Sequence, residues 1–358
     1  MASTRERALL RRNMRCVLKR VLGPLTKLKP VLAVSALALL GGCKMVVMDP
    51  AGDVAMQQRN LILLATGLML LIIVPVIVAT LVFAWRYRAS NTTATYAPDW
   101  SHSTRLEVLI WGAPMAIILV LGAVTWVTCH TLDPYRPIGR IAAGRPVPAG
   151  VKPLEVDVVA LDWKWLFIYP EQGVATVNEL AVPVDRPLAF KITAASVMNS
   201  FYAPDLAGQV YAMPGMQTQL HGVLNRVRDS EGFSANYSGA GFSGMRFKVR
   251  GLTPAGFDAW VAQARQGGAP GQGALTRAAY ASLARPSADQ PVRRFAGVDP
   301  ALFTDIVNRC AADGSGCKDR SDYRMAFASE ALAAATRAIC APKDRGPPSQ
   351  RPRSQIPS

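Results

Sequence analysis

Histidine is scarce in this chain: three in 358 residues, at positions 102, 130 and 221. None follows His221, so the cysteines near the C-terminus have no imidazole close in sequence with which to share a metal. Acids are scarce too, 24 Asp and Glu against 40 Lys and Arg, giving a formal charge of +16. There is no Gly-rich phosphate-binding motif and no internal repeat, which removes the nucleotide-binding loops and the solenoid architectures. Charge is missing altogether from residues 61–85 and 108–128. Half the chain is hydrophobic and the mean hydropathy is +0.17, which is high for a wholly soluble protein and argues against a disordered one.

The basic excess is not spread evenly. Residues 1–42 carry +8, residues 43–133 are neutral, and residues 134–358 carry +8. The first stretch has the layout of a bacterial export signal: a basic region, an apolar run over 31–40 too short to span, then small residues. Leu40-Gly41-Gly42-Cys43 resembles a lipobox, so 1–42 is expected to be removed and Cys43 acylated. Half of the excess therefore says nothing about partners of the mature chain, and the rest gives no support to nucleic-acid binding.

The uncharged runs 61–85 and 108–128 predict two membrane-spanning helices, with Pro75 kinking the first and Pro114 near the start of the second. Trp85, Tyr87, Trp111 and Trp126 lie near their ends, as interfacial aromatics do. The short loop between them carries Arg86, Arg88 and Arg105 against Asp99 and Glu107. The positive-inside rule puts that loop in the cytoplasm and both flanks outside, in agreement with acylation of Cys43 on the outer face of the inner membrane.

Beyond Pro153 the pattern shortens. Residues 156–160, 165–169, 188–192 and 245–249 read as strands of a sandwich or barrel. After Gly251 the chain reads as helical: Thr253-Pro254 and Asp299-Pro300 each look like an N-cap followed by an N1 proline, and 321–339 is a further candidate helix. Residues 343–358 are rich in Pro, Arg, Ser and Gln and read as a disordered tail. Cys310 and Cys317 flank a short polar loop and are expected to form a disulfide, with Cys340 as a competing partner. Cys129 and His130 are adjacent and do not converge on one ion without help from elsewhere.

Several runs carry a specific resemblance: Gln58-Arg59, Phe83-Ala-Trp-Arg-Tyr-Arg-Ala-Ser-Asn91, Trp100-Ser-His-Ser103, Asp162-Trp-Lys-Trp165, Tyr169-Pro-Glu-Gln-Gly-Val-Ala-Thr-Val-Asn-Glu179, Ser196-Val-Met-Asn-Ser-Phe201, Tyr211-Ala-Met-Pro-Gly-Met-Gln-Thr218 and Tyr237-Ser-Gly-Ala-Gly-Phe-Ser-Gly-Met245. With the lipobox, the helix pair and the exported β-domain, they resemble subunit II of haem–copper terminal oxidases, in the bo-type ubiquinol oxidase branch. The resemblance covers residues 40–310. It implies a membrane α + β protein: signal peptide 1–42, transmembrane hairpin 43–133, a periplasmic cupredoxin-like β-sandwich or barrel over 134–252, a helical C-terminal extension over 253–342, and the tail.

In the copper-bearing branch of this family, subunit II holds a binuclear copper centre with two thiolates, two imidazoles, a thioether and a backbone carbonyl, soft donors suited to copper. Here the resemblance places Asn199 at the first His, Ser234 and Ser238 at the two Cys, Asn236 at the carbonyl donor and Phe242 at the second His. Only Met245 keeps its family identity. The resemblance therefore implies no metal and no cofactor in this chain. The haems and a single copper are expected in subunit I, where ubiquinol would bind. Cytochrome c, itself basic, is excluded as partner by the lost copper and by the +8 of residues 134–358. Further partners would be small membrane subunits and the bilayer. Trp163 and Trp165, near the electron entry point in copper-bearing relatives, are read here as packing residues.

Glu107 opens the second span, where the family places a carboxylate at the mouth of a proton-uptake channel. The simpler alternative is a first-turn Glu complementing the helix dipole. No catalytic residue is expected in this chain; the complex would oxidise ubiquinol, reduce oxygen to water and pump protons. A second reading stays open: a membrane-anchored periplasmic binding lipoprotein with a cupredoxin-like domain.

Overall fold

The computed structural model describes residues 45–95, 97–266 and 273–311. The signal segment, Cys43, Cys317, Cys340, the candidate helix at 321–339 and the tail lie outside the described residues. Of a first unit, Met1–Asp49, the described part holds one 3-10 turn, Val46–Met48; the rest belongs to a second unit, Pro50–Ser358.

Two long helices come first, α1 (Asp53–Arg86) and α2 (Thr104–Thr131). Each extends beyond its uncharged run, α1 by two turns at its start. At about 1.5 Å per residue α1 is about 51 Å long, well over the ~30 Å hydrocarbon layer. α1 runs unbroken through Pro75, which has no N–H to donate to the carbonyl of Leu71. Large apolar side chains stand exposed on both helices, Leu71, Leu81, Val108, Trp111 and Trp126 among them. A helix apolar all round needs lipid or a helical partner, and both are long and apolar enough to cross a membrane.

The segment before α1 is threaded into the β-domain. Ala51 N donates to Asp205 Oδ1 at 2.8 Å, Gly52 N to Asp205 O at 2.8 Å, and Asn225 N to Ala51 O at 2.9 Å. A Cβ on Gly52 would lie 2.6 Å from Leu206 O and 2.8 Å from Val223 O, so the close approach requires glycine. The start of α1 is thereby fixed to the same domain that follows α2, which makes the helix pair a hairpin with both of these ends on one side.

The domain is a sandwich of two sheets. Its strands are β1 (Leu154–Leu161), β2 (Lys164–Tyr169), β3 (Val174–Val177), β4 (Glu179–Pro183), β5 (Leu188–Ala194), β6 (Asn199–Tyr202), β7 (Val210–Ala212), β8 (Thr218–Gly222), β9 (Arg228–Ser234) and β10 (Arg246–Leu252); β11 (Arg293–Phe295) follows later in the chain. One sheet has the order β8-β5-β1-β2-β3-β11, the other β4-β10-β9-β6-β7. Pairing is antiparallel except β1 with β5 and β4 with β10.

Strand alternation sorts β1 into two faces. Leu154, Val156, Val158 and Ala160 face the core between the sheets, where Trp165, Phe167, Phe190, Phe201 and Phe247 meet; Phe201 and Phe247 stack at 5.3 Å. Burying one such Phe contributes about 2–3 kcal/mol. Val159 and Leu161 face the other way, into a second core. That core is covered by the C-terminal segment: α4 (Arg277–Leu283), β11 and α5 (Leu302–Val307) supply Tyr280, Leu283, Phe295, Leu302, Phe303 and Ile306. The centre of the first sheet is thus buried on both sides, which is why 156–160 is apolar on both faces except at Asp157.

The segment after 252 begins with α3 (Pro254–Arg265), capped as expected by Thr253, whose side chain accepts from Gly256 N. The reading of Asp299-Pro300 as a helix start needs correction. α5 starts at Leu302, and Asp299 Oδ1 accepts instead from Ala301 N, which makes a turn one step before the helix. The segment is also less purely helical than its capping signals indicate, because β11 pairs with β3 at the edge of the first sheet.

Candidate functional site

The positions matched to copper ligands come from three separate elements: Asn199 opens β6, Ser234 ends β9, and Asn236, Ser238, Phe242 and Met245 lie on the loop to β10. The fold brings most of them together. Ser234 Oγ lies 3.1 Å from Asn199 Oδ1 and 3.2 Å from Asn236 O. Asn199 Nδ2 donates to Val197 O at 3.1 Å and Asn236 Nδ2 to Met198 O at 3.1 Å. Ser238 Oγ lies 3.9 Å from Met245 Sδ, and Phe242 stands apart, packing on Tyr237 at 5.6 Å.

The loop keeps its shape through Trp163. Its indole Nε1 donates to Ser238 O at 3.1 Å, and Gly241 lies so close to the ring that a Cβ there would sit 2.4 Å from Trp163 Cδ2. Trp165 is fully buried among Phe201 and Phe247, so both tryptophans pack rather than face solvent as a pair. The donors gathered here are two hydroxyls, two amides and a thioether, largely paired with one another and with backbone. They supply neither thiolate nor imidazole and do not fit a binuclear copper centre. Among the described residues no group of three or more His, Cys, Asp or Glu is arranged to hold a metal ion.

Glu107 sits in the first turn of α2, its amide bonded to Ser103 O at 3.0 Å. Its Oε1 lies 2.7 Å from His102 Nδ1, and both side chains are more than half exposed. Cys310 is disulfide-bonded, while Cys317 lies outside the described residues.

The most heavily buried charges lie elsewhere, and sequence reasoning missed them. Glu179, on β4, accepts from Arg294 of β11 through two bonds at 2.8 and 3.1 Å, from Trp260 Nε1 at 3.3 Å and from Arg250 at 3.4 Å. Burial alone would raise this carboxyl; Arg294, with Trp260 and Arg250, holds it below the usual glutamate range. Lys164, also buried, donates to Ser287 Oγ at 2.7 Å, Arg285 O at 2.8 Å and Asp162 O at 3.2 Å. Burial lowers its pKa, with Asp162 opposing and Arg293 reinforcing the shift. Asn178 Nδ2 donates to Gln290 O at 2.8 Å. These groups latch residues 285–294 onto the sandwich. The available signal was a charged residue set inside an apolar strand run, as in Asp162-Trp-Lys-Trp165 and Val177-Asn-Glu179.

The family described as "COX Aromatic Rich Motif" matches residues 271–314, the segment that supplies Tyr280, Phe295 and Phe303 to the second core. Cytochrome bo(3) ubiquinol oxidase subunit 2 of Pseudomonas putida is 50% identical over 279 residues, covering 78% of this chain and 85% of that one. Ubiquinol oxidase subunit 2 of Acetobacter aceti is 50% identical over 273 residues, 76% of this chain and 85% of that one. Among solved structures, the periplasmic domain of cytochrome oxidase subunit II of Bradyrhizobium japonicum aligns with a TM-score of 0.31 and 22% identity, over 34% of this chain and 97% of that one. With half of its residues shared across most of both lengths, the chain belongs to the subunit 2 family of the ubiquinol oxidases.

Proposed function

We propose that this chain is the structural, non-metal-binding subunit 2 of a proton-pumping ubiquinol oxidase. The complex oxidises ubiquinol and reduces oxygen to water in the aerobic respiratory chain. Ubiquinol, the haems and a single copper are held by subunit I, and small membrane subunits complete the assembly. The chain sits in the bacterial inner membrane by its two helices and an acylated Cys43, with the sandwich on the periplasmic side. Cys310 pairs with Cys317, and Glu107 delivers protons to subunit I from the cytoplasm.

The observation that carries this reading is the 50% identity to ubiquinol oxidase subunit 2 across 85% of that relative's length. The donor chemistry around Ser234 supports it, because hydroxyls stand at the two thiolate positions and an amide and a phenyl ring, Asn199 and Phe242, at the two imidazole positions that a copper entry point needs. Metal and haem analysis of the purified complex, with parallel ubiquinol and cytochrome c assays, tests it. Ubiquinol is expected to support oxygen uptake, and cytochrome c to support none. Copper bound by this chain, or cytochrome c turnover, overturns the reading.

A further inference from the structure

A cleft of about 590 Å³ opens where the barrel-side ends of both helices meet the sandwich. α1 lines it with Asp53, Gln57 and Gln58, the segment after α2 with Asp133 and Arg136, and β8 with His221. Its height follows from the helices. The uncharged run of α1 begins at Leu61, so Gln58 stands about 4.5 Å above it and Asp53 about 12 Å, at 1.5 Å per residue. The uncharged run of α2 stops at Thr128, just short of Asp133. The polar layer of a bilayer leaflet is about 5–8 Å deep, so the mouth of the cleft lies at headgroup level.

The charges in it divide into two sets. Asp53 is already satisfied, accepting from Arg140 at 2.9 and 3.3 Å and from Gln57 at 2.7 Å. Asp133 and Arg136 are exposed and of opposite sign; Asp133 Oδ1 accepts from Tyr135 N at 2.9 Å and Arg136 donates to His130 O at 3.4 Å, which leaves each with further hydrogen-bonding capacity. His221 Nδ1 lies 3.0 Å from Pro134 O; a carbonyl only accepts, so Nδ1 carries the proton and Nε2 remains for another partner. Apolar side chains, Leu132 and Leu220, complete the wall, and below it the exposed apolar surface of the helices continues.

We propose that this cleft seats the headgroup of a zwitterionic phospholipid of the phosphatidylethanolamine type. Arg136 meets the phosphate, Asp133 the ammonium, and the acyl chains run down along the helices. One cation and one anion in reach favour a headgroup carrying both signs; a purely anionic one would set its phosphate near Asp133 without a compensating ammonium. The inference needs only that the helices span a membrane, so it stands or falls apart from the oxidase reading.

The test uses the full chain, purified in mild detergent with whatever subunits accompany it. Retained phospholipid is extracted and quantified for the native chain and for the double variant Asp133→Asn/Arg136→Gln, both surface changes. Loss of one phosphatidylethanolamine per chain in the variant is expected; equal retention overturns the proposal, and so does equal retention of phosphatidylglycerol by the native chain. Millimolar inorganic phosphate should leave the lipid in place, and its displacement would point instead to a soluble-anion site. A photo-cross-linking residue at Gln57 should capture lipid in cells. Capture of a polypeptide would show that a neighbouring subunit fills the cleft and would overturn the assignment.

Discussion

Asp157 is buried at a cost to the fold. It lies on β1, 6% exposed, and its Oδ1 has no hydrogen-bond partner. Burial pushes its carboxyl up to about 7, against the pull of Lys191 and with a further push from Glu155. An unfolded Asp ionises near pH 4, whereas the folded one holds its proton to about 7. Folding stability therefore falls as pH rises between those values and levels off above the upper one. Asp157→Asn removes that loss. It should stabilise the protein by about 1–3 kcal/mol at neutral pH, with the gain shrinking towards pH 4. Thermal unfolding at several pH values checks it, and a pH-independent gain would contradict the account. Glu107 sits at the other end of the molecule's chemistry, exposed and beside His102. If it feeds protons inward, Glu107→Gln should slow oxidase turnover severalfold while the complex stays assembled. Unchanged turnover removes its role and leaves a helix-dipole contact.

Among the elements, β11 decides whether the second core stays closed. It is a short edge strand, and its Arg294 reaches through to Glu179. Arg294→Ala leaves a buried carboxylate with Arg250 and Trp260 alone and should destabilise the domain by about 2–3 kcal/mol. Because Glu179 is held below its ordinary pKa, the ion pair's contribution is complete above that ordinary value. It is lost as pH falls through the lowered one. The wild type should therefore lose its advantage over Arg294→Ala on acidification, read by limited proteolysis within 273–311 or by thermal unfolding. Among the described residues, three of the five helices and four of the eleven sandwich strands were legible in the sequence. Uncharged runs marked the spans, apolar or β-branched residues at many positions marked β1, β2, β5 and β10, and Thr253-Pro254 marked α3. Asp299-Pro300 misled because an Asx turn uses the same residues as a helix cap. The short strand β11 has too few residues to show a period, and its partner β3 is more than a hundred positions earlier. The polar cluster at Ser234 was legible only through a family resemblance, since hydroxyls and amides at those spacings signal nothing by themselves. The latch through Lys164 and Glu179 was written in the sequence as charges within strand runs, but its partners could be found only in space.

For the whole molecule, the proposed lipid anchor would act in parallel with the two helices. Two helices each long enough to span already hold the chain in a membrane. Cys43→Ser should accordingly block acylation yet leave the complex assembled, as judged by co-purification of its haem-bearing partner; loss of assembly would mean that lipid contacts matter more than the hairpin. The charge of the molecule also takes its meaning from place, with +8 on residues 134–358 and none on the hairpin region. The threading of residues 50–52 into the sandwich has a consequence for the order of events during biogenesis. Ala51 is bonded to Asp205, 154 residues later, and its carbonyl to Asn225. No part of the nascent chain that emerges early can complete that contact, because closure of so long a loop awaits synthesis of Asp205 and Asn225. The first helix is thus made with its N-terminal end still unmoored, and folding of the sandwich fixes it. The contact is a clasp that closes late, with Gly52 as its tongue and the backbone around Asp205 as its slot.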